Sequence, residues 1–428
     1  MAPRSSLPTR LGKNSLWLLG SRLGTQVLVA LFTIVLARRL GSAGFGEYAF
    51  IAALIFIANT ISTFGTDMLL MREIAAHSDL ASIPAALLIQ LALSALFVFL
   101  LLSGARYFPN LDPSAAQALK IYGLALFPLA LYSIFASALR GKEQMDMYAL
   151  LGLAGALMQV GLAWLMPALN LPGLALGMVI IQVLLTILAG VFCATQIADF
   201  WKGWHFNAHA MPGVLRSSAP IGLLAVLGMI YQKLSTGMLS ASVGPALTGG
   251  FAAALRVLEA SKSLHMAVFT ALYPAMSKPQ TKAAEAQFFL QLWSGLLAGA
   301  ALVALGISIL AGPLVNLLFG ADFSASIPAL RILAWMLVPY TINTFLSLAL
   351  LSCKQEKNMM IALTSSLVAL VALNLWLIPR LGLSGAAWAA LSAESLQAGL
   401  LLLQLKKIHW FQVLPIKRAD AHELPELS

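Results

Sequence analysis

Apolar residues in this chain run in long blocks, with neither the alternation of a half-buried strand nor the one-sided stripe of a surface helix. The blocks fall at 14–37, 48–71, 83–105, 118–139, 148–168 and 174–197, then at 217–240, 248–274, 287–310, 328–351, 359–378 and 384–405. Each matches the ~20 residues needed to cross a bilayer as a helix, and none shows the ~10-residue alternating strands of a membrane barrel. Short, turn-rich stretches such as Asn170-Leu171-Pro172-Gly173 separate them. The pattern predicts an all-α polytopic membrane protein with 12 transmembrane helices.

Composition agrees. Of the 428 residues 60% are hydrophobic and 10% are charged, against about 25% charged in an ordinary soluble domain. Cys193 and Cys353 stand far apart, and the six histidines have no paired spacing, so neither a metal site nor a redox pair is expected. The basic start (Arg4, Arg10, Lys13) leads into an apolar block interrupted by Arg22 and without a small-residue cleavage site, which reads as an uncleaved first span.

Lys and Arg fix the expected orientation. With the N-terminus inside, sixteen lie in cytoplasmic segments, and only Arg38, Arg39, Arg106, Lys120 and Arg380 fall outside. This is the positive-inside pattern of an inner (cytoplasmic) membrane protein with both termini cytoplasmic. The net charge of +10 is then met by anionic membrane lipids, and no nucleic-acid partner is expected.

The halves resemble each other. Lys120 and Pro128 match Arg331 and Pro339 at an offset of 211, and Pro167-x-Leu169-x-Leu171-x-Gly173-x-Ala175 matches Pro379-x-Leu381-x-Leu383-x-Gly385-x-Ala387 at 212. Gly41, Ala43, Gly46 and Ala49 match Gly244, Ala246, Gly249 and Ala252 at 203. Duplication of an even number of spans predicts two six-helix bundles related by a parallel internal repeat, 1–205 and 206–428, the layout of transporters that rock one bundle against another. Pro128 and Pro339 are expected to kink their spans.

Ionisable residues inside spans cost roughly 2.5–3.5 kcal/mol each at a helix centre, so they mark wet cavities or internal pairs. Here they are Arg22, Asp67, Lys233, Arg256, Glu259, Lys262, Arg331 and Glu394. Six of them fall in the first two spans of each repeat, which places a cavity between the halves. Arg256, Glu259 and Lys262 follow at i, i+3 spacing on one helix face. Among the six, four cations outweigh two anions, a balance suited to an anionic solute, phosphate above all. The bland readings are specific: Arg331 snorkels to the interface, Asp67 pairs with nearby Arg72, Glu394 packs against a Ser or Gln, and the Arg256/Glu259/Lys262 triplet neutralises itself.

The stretch Ser21-Arg22-Leu23-Gly24 through Leu36-Ala37-Arg38-Arg39-Leu40-Gly41-Ser42-Ala43-Gly44-Phe45-Gly46-Glu47-Tyr48 resembles the opening of the polysaccharide biosynthesis (Wzx-type) flippases. These belong to the multidrug/oligosaccharidyl-lipid/polysaccharide exporter superfamily. Met71-Arg72-Glu73-Ile74-Ala75, Ala329-Leu330-Arg331-Ile332-Leu333-Ala334 and Leu381-Gly382-Leu383-Ser384-Gly385-Ala386-Ala387 are similar to later segments of the same family. The resemblance implies transfer of an undecaprenyl-diphosphate-linked oligosaccharide (an O-antigen, capsule or exopolysaccharide repeat unit) from the cytoplasmic to the periplasmic leaflet by alternating access. It departs at Tyr231-Gln232-Lys233-Leu234-Ser235, where many relatives carry an acidic residue.

The expected substrate grip is therefore Arg22, Lys233, Arg256 and Lys262. Asp67, Glu259 and Glu394 are the acidic groups available for ion coupling or ion pairing, with a proton or sodium gradient as driving force and no cofactor. Expected partners are the lipid-linked oligosaccharide, anionic lipids, and a polysaccharide polymerase with its chain-length machinery. A MATE-type ion-coupled multidrug or metabolite exporter is the alternative, disfavoured by the cation surplus. The lipid II flippase branch generally has fourteen spans, and a membrane-embedded polymerase or ligase would need a large outer loop with catalytic Arg or His. No catalytic role is expected.

Overall fold

A single residue separates the first two expected spans. Gly41, at φ 68° and ψ 179°, is the non-helical position inside α1 (Leu7–Thr63), so the loop expected between residues 37 and 48 is helical on both sides of one glycine. Leu23–Thr63 alone is 41 residues. As one rod it would measure ~60 Å, twice a bilayer core of ~30 Å. A left-handed φ turns the chain, and glycine adopts it without the penalty of a side chain.

The computed structural model describes residues 7–77, 80–104, 111–166, 170–198, 200–202, 204, 210–276, 283–352 and 355–407. Side chains are described for these except in 7–19, 21–22, 264–276 and 283–290, and at 292, 348–349, 351–352, 356 and 405–407. After α1 come α2 (Thr66–His77), α3 (Ile83–Gly104), α4 (Pro113–Gly123), α5 (Leu126–Gly141), α6 (Met145–Leu165) and α7 (Leu171–Gln196). There follow α8 (Met211–Val243), α9 (Pro245–Met276), α10 (Ala283–Leu318), a short 3-10 turn (Ala321–Ser326), α11 (Ile327–Ala334), α12 (Leu337–Ser352) and α13 (Glu356–Lys407). Gly244 (φ 91°) turns α8 into α9, and Gly382 (φ 56°) breaks α13 three residues after Pro379.

The spans expected at 118–139 and 328–351 are each two helices. The prolines are responsible, though not as mid-helix kinks. Pro128 and Pro339 occupy the third position of α5 and α12, where a missing N–H costs nothing, and the ring excludes a continuous helix through the residue four back. The chain tightens into i→i−3 bonds ahead of each. Leu124 and Ala125 N–H donate to Ile121 and Tyr122 carbonyls, and Trp335 and Met336 N–H donate to Ile332 and Leu333. The second pair of bonds lies 211 residues beyond the first. α11 and α12 bend by 42° across their break.

Among the described residues, eight helices are long and apolar enough to cross a membrane, or nine with the bent Ala321–Ala334/Leu337–Ser347 pair as one span. The protein is a multi-pass, all-helical membrane protein.

Two compact units divide the chain: Met1–Ala252 with Leu318–Phe323, and Ala253–Leu317 with Ser324–Ser428. In the first, Leu69, Leu70, Ile74, Ile83, Ile134, Leu139 and Phe200 form a core shared by α2, α3, α5 and the turn after α7. Phe200, Trp201 and Trp204 cluster there with ring centroids 5.0–5.6 Å apart. In the second, Phe345, Leu346, Leu350, Ala362 and Leu401 join α12 to α13, and Trp293 of α10 stacks on Phe345 at 5.2 Å.

Candidate functional site

The polar interior of the second unit is organised around α9 and α12. Arg256 Nη1 donates to Glu259 Oε2 at 2.9 Å, one turn apart on α9, and both side chains are about one-third exposed. One turn further, Lys262 Nζ lies 4.4 Å from the centre of the Tyr340 ring on α12. Such a contact contributes ~0.5 kcal/mol when wet and ~2 kcal/mol when desolvated. Glu394 and Glu259 both act electrostatically on Lys262.

Glu394 is 5% exposed and Asn343 is 4% exposed. Asn343 Nδ2 donates to Glu394 Oε1 at 2.9 Å and to the Glu394 carbonyl at 3.0 Å. The amide so holds both the side chain and the backbone of α13. Asn343 Oδ1, also buried, has no hydrogen-bond partner among the described residues. Tyr340 and Asn343 are one turn apart, so a single helix face of α12 presents a ring to the lysine and an amide to the carboxylate. The set offers one ammonium, one buried carboxylate and a spare acceptor, which suits exchange of an anion and of a proton or small cation.

In the first unit, Asp67 Oδ2 lies 3.9 Å from Arg140 Nη2. The expected Arg72 is replaced by a residue of α5. Arg140 is steadied by the Ala136 carbonyl and the Ser137 hydroxyl and by the Tyr148 ring at 5.3 Å. Lys233 Nζ sits 5.9 Å from the Phe56 ring centre. The side chain of Arg22 lies outside the described residues. Arg331, in the last turn of α11, is exposed. Among the described residues, no three His, Cys, Asp or Glu side chains come together as a metal site would require.

Tyr340 and Asn343 are neutral polar residues within a span and carry no charge signal in the sequence. Glu47 is 6% exposed and accepts from the backbone N–H of Asp112, the N-cap of α4, while its Oε1 has no partner among the described residues. Arg38 and Arg39 cap helix ends. Arg39 Nη1 donates to the Ala163 carbonyl at 2.7 Å and Nη2 to Met166 at 2.6 Å, closing the C-terminus of α6. Arg38 Nε donates to the Leu318 carbonyl at the end of α10, at 2.9 Å. Cations at helix C-termini satisfy orphan carbonyls and oppose the negative dipole end.

The chain is similar in structure to a lipid II flippase, MurJ, in an inward closed conformation (TM-score 0.74, 16% identity, 94% of this chain and 90% of that one). It is also similar to a multidrug resistance MATE family transporter of the MOP superfamily in an inward-facing conformation (TM-score 0.71, 15% identity, 92% and 96%). A third match is a MOP superfamily transporter from Pyrococcus furiosus whose description notes a reversed polarity of its binding pocket (TM-score 0.67, 14% identity, 92% and 95%). At these identities the likeness establishes the fold. No curated protein matches the sequence. Residues 11–280, more than half of the 428, match the family described as polysaccharide biosynthesis protein, and the chain belongs to that family.

Proposed function

We propose that this protein is a flippase that carries a polyprenyl-diphosphate-linked oligosaccharide from the cytoplasmic to the periplasmic leaflet of the inner membrane. Arg22, Lys233, Arg256 and Lys262 grip the diphosphate, the sugars travel in water, and the polyprenyl tail stays in lipid. The observation that carries this reading is Lys262, an ammonium within a span, held against the neutral face of Tyr340. A cation seated on a ring gives up less on moving to a phosphate than one locked into a bidentate ion pair. Arg256 shares Glu259 while it waits.

In this reading the chain has twelve spans in two six-helix lobes, 1–205 and 206–428, with both termini cytoplasmic. Each of α1 and α13 counts as two spans about Gly41 and Gly382, and α9 counts although three charges interrupt it. The bonding shared by 121–125 and 332–336 supports the repeat. Glu394 takes up the coupling proton or sodium ion, because it is the buried carboxylate beside Lys262. Alternating access follows when each ligand binds the two states unequally.

The test is reconstitution in liposomes. A polyprenyl-diphosphate oligosaccharide should pass from one leaflet to the other, at a rate raised by an imposed ion gradient. Efflux of a cationic dye without lipid transfer would replace the reading with a MATE-type exporter.

A further inference from the structure

The helix Ser42–Thr63, the part of α1 beyond Gly41, and the Phe64-Gly65 turn that follows it meet α9 and α8 at two places where backbone approaches backbone. Near its start, Gly46 faces Gly249 of α9. A Cβ added at Gly46 would meet the Pro245 carbonyl oxygen and the Gly249 nitrogen, and one added at Gly249 would meet the Ser42 carbonyl oxygen and the Gly46 nitrogen. The contact is reciprocal: Ser42 stands to Gly46 as Pro245 stands to Gly249, and a left-handed glycine, Gly41 or Gly244, precedes each by five residues. Phe45 packs edge-on against Phe323 beside it, at 6.0 Å, with both rings 1% exposed.

Beyond the far end of the same helix, Gly65 faces Gly222 of α8. A Cβ at Gly65 would come 2.5 Å from the Gly222 nitrogen and 3.0 Å from the Ser218 carbonyl oxygen. One at Gly222 would run into the Phe64 carbonyl. The chain here is strained, since Phe64 (φ 41°) and Gly65 (φ 73°) are both left-handed. For a non-glycine residue this costs ~1–2 kcal/mol, the kind of strain that collects at switch regions. From Gly46 to Gly65 is roughly 28 Å along a helix, about the thickness of the hydrocarbon core.

We propose that these two glycine pairs are the outer and inner seals of the transport path: Gly46–Gly249 closes the side of Gly41, and Gly65–Gly222 closes the opposite side. Both are shut in this structure. Opening to one face breaks one pair and keeps the other. Glycine is required at each because bare backbones meet there, and any Cβ must push the helices apart. The inference rests on the alternating-access reading above and goes beyond it in naming the contacts that alternate.

The experiment uses the full chain with Cys193 and Cys353 replaced and, as reporter, Asn59→Cys at a half-buried position of α1 between Gly46 and Gly65, in vesicles of either orientation. A membrane-impermeant charged maleimide reads access. Gly249→Ala should raise labelling from the outer face several-fold, Gly222→Ala should raise it from the inner face, and Gly228→Ala, with nothing within 4 Å of its Cβ, should change neither. Shifts of Gly249→Ala and Gly222→Ala in the same direction, or no larger than that of Gly228→Ala, would overturn the assignment. A Phe45→Cys/Phe323→Cys pair avoids the glycines. Linked by a bifunctional thiol reagent, it should abolish outer labelling and spare inner labelling, and undiminished outer labelling in the linked protein would refute the outer seal. Labelling is read without substrate, so failed lipid transfer beside a normal labelling pattern would sink the substrate reading and leave the seals standing.

Discussion

Asn343 and Glu394 are tied by two hydrogen bonds from one amide nitrogen, 2.9 Å to the carboxylate and 3.0 Å to the carbonyl of the same residue. The amide therefore fixes the position of a buried carboxylate whose charge faces Lys262. Charge-assisted bonds of this kind contribute about 1.5–3 kcal/mol.

Glu394→Gln should uncouple transport from the ion gradient. Transfer rates in liposomes would no longer rise with an imposed proton or sodium gradient, while binding of the lipid-linked substrate would persist. Gln keeps the shape and removes the titrating group, so a gradient response equal to that of wild type would exclude Glu394 as the coupling residue.

Asn343→Leu should lower stability by about 1–3 kcal/mol, because a buried carboxylate loses its donor. Thermal unfolding in detergent would show it. Addition of Glu394→Gln should recover part of the loss if the penalty arises at the carboxylate.

Arg256 and Glu259 can be separated by a double-mutant cycle. Arg256→Ala should slow transport at least tenfold, and Arg256→Ala/Glu259→Ala should remain equally slow, because the phosphate grip is missing from both. Restored transport in the double variant would make the pair a structural neutralisation alone.

Arg39→Ala should cost about 1.5–3 kcal/mol of stability through the uncapped carbonyls of Ala163 and Met166. Asp67→Asn should cost under about 1 kcal/mol, since its ion pair with Arg140 is 3.9 Å long and about a quarter exposed. Unfolding midpoints measured side by side would rank them, and the reverse order would contradict the capping role.

The membrane class and most helix positions were legible because burial in lipid writes long apolar runs into a sequence. The joints were not. A loop was expected where Gly41 alone suffices, because one left-handed glycine turns a helix and leaves no run of polar residues to announce it. Pro128 and Pro339 are expected as kinks within spans, whereas each is the third residue of a new helix that begins directly after a tightened turn. At the site, charge drew attention to Lys262 and Glu394, but the groups that seat them, Tyr340 and Asn343, are neutral and look like ordinary span residues. The partner of Asp67 came from α5, since contacts between helices obey packing and not proximity in sequence. Arg38 and Arg39 carried the family resemblance, yet in the structure they bind carbonyls at helix ends.

Lys262→Met offers the most direct measurement of the cationic grip. Leaflet-to-leaflet transfer of a polyprenyl-diphosphate oligosaccharide should fall at least tenfold relative to wild type, with membrane insertion and unfolding temperature unchanged. Transfer at the wild-type rate would contradict the assignment of Lys262 to the diphosphate.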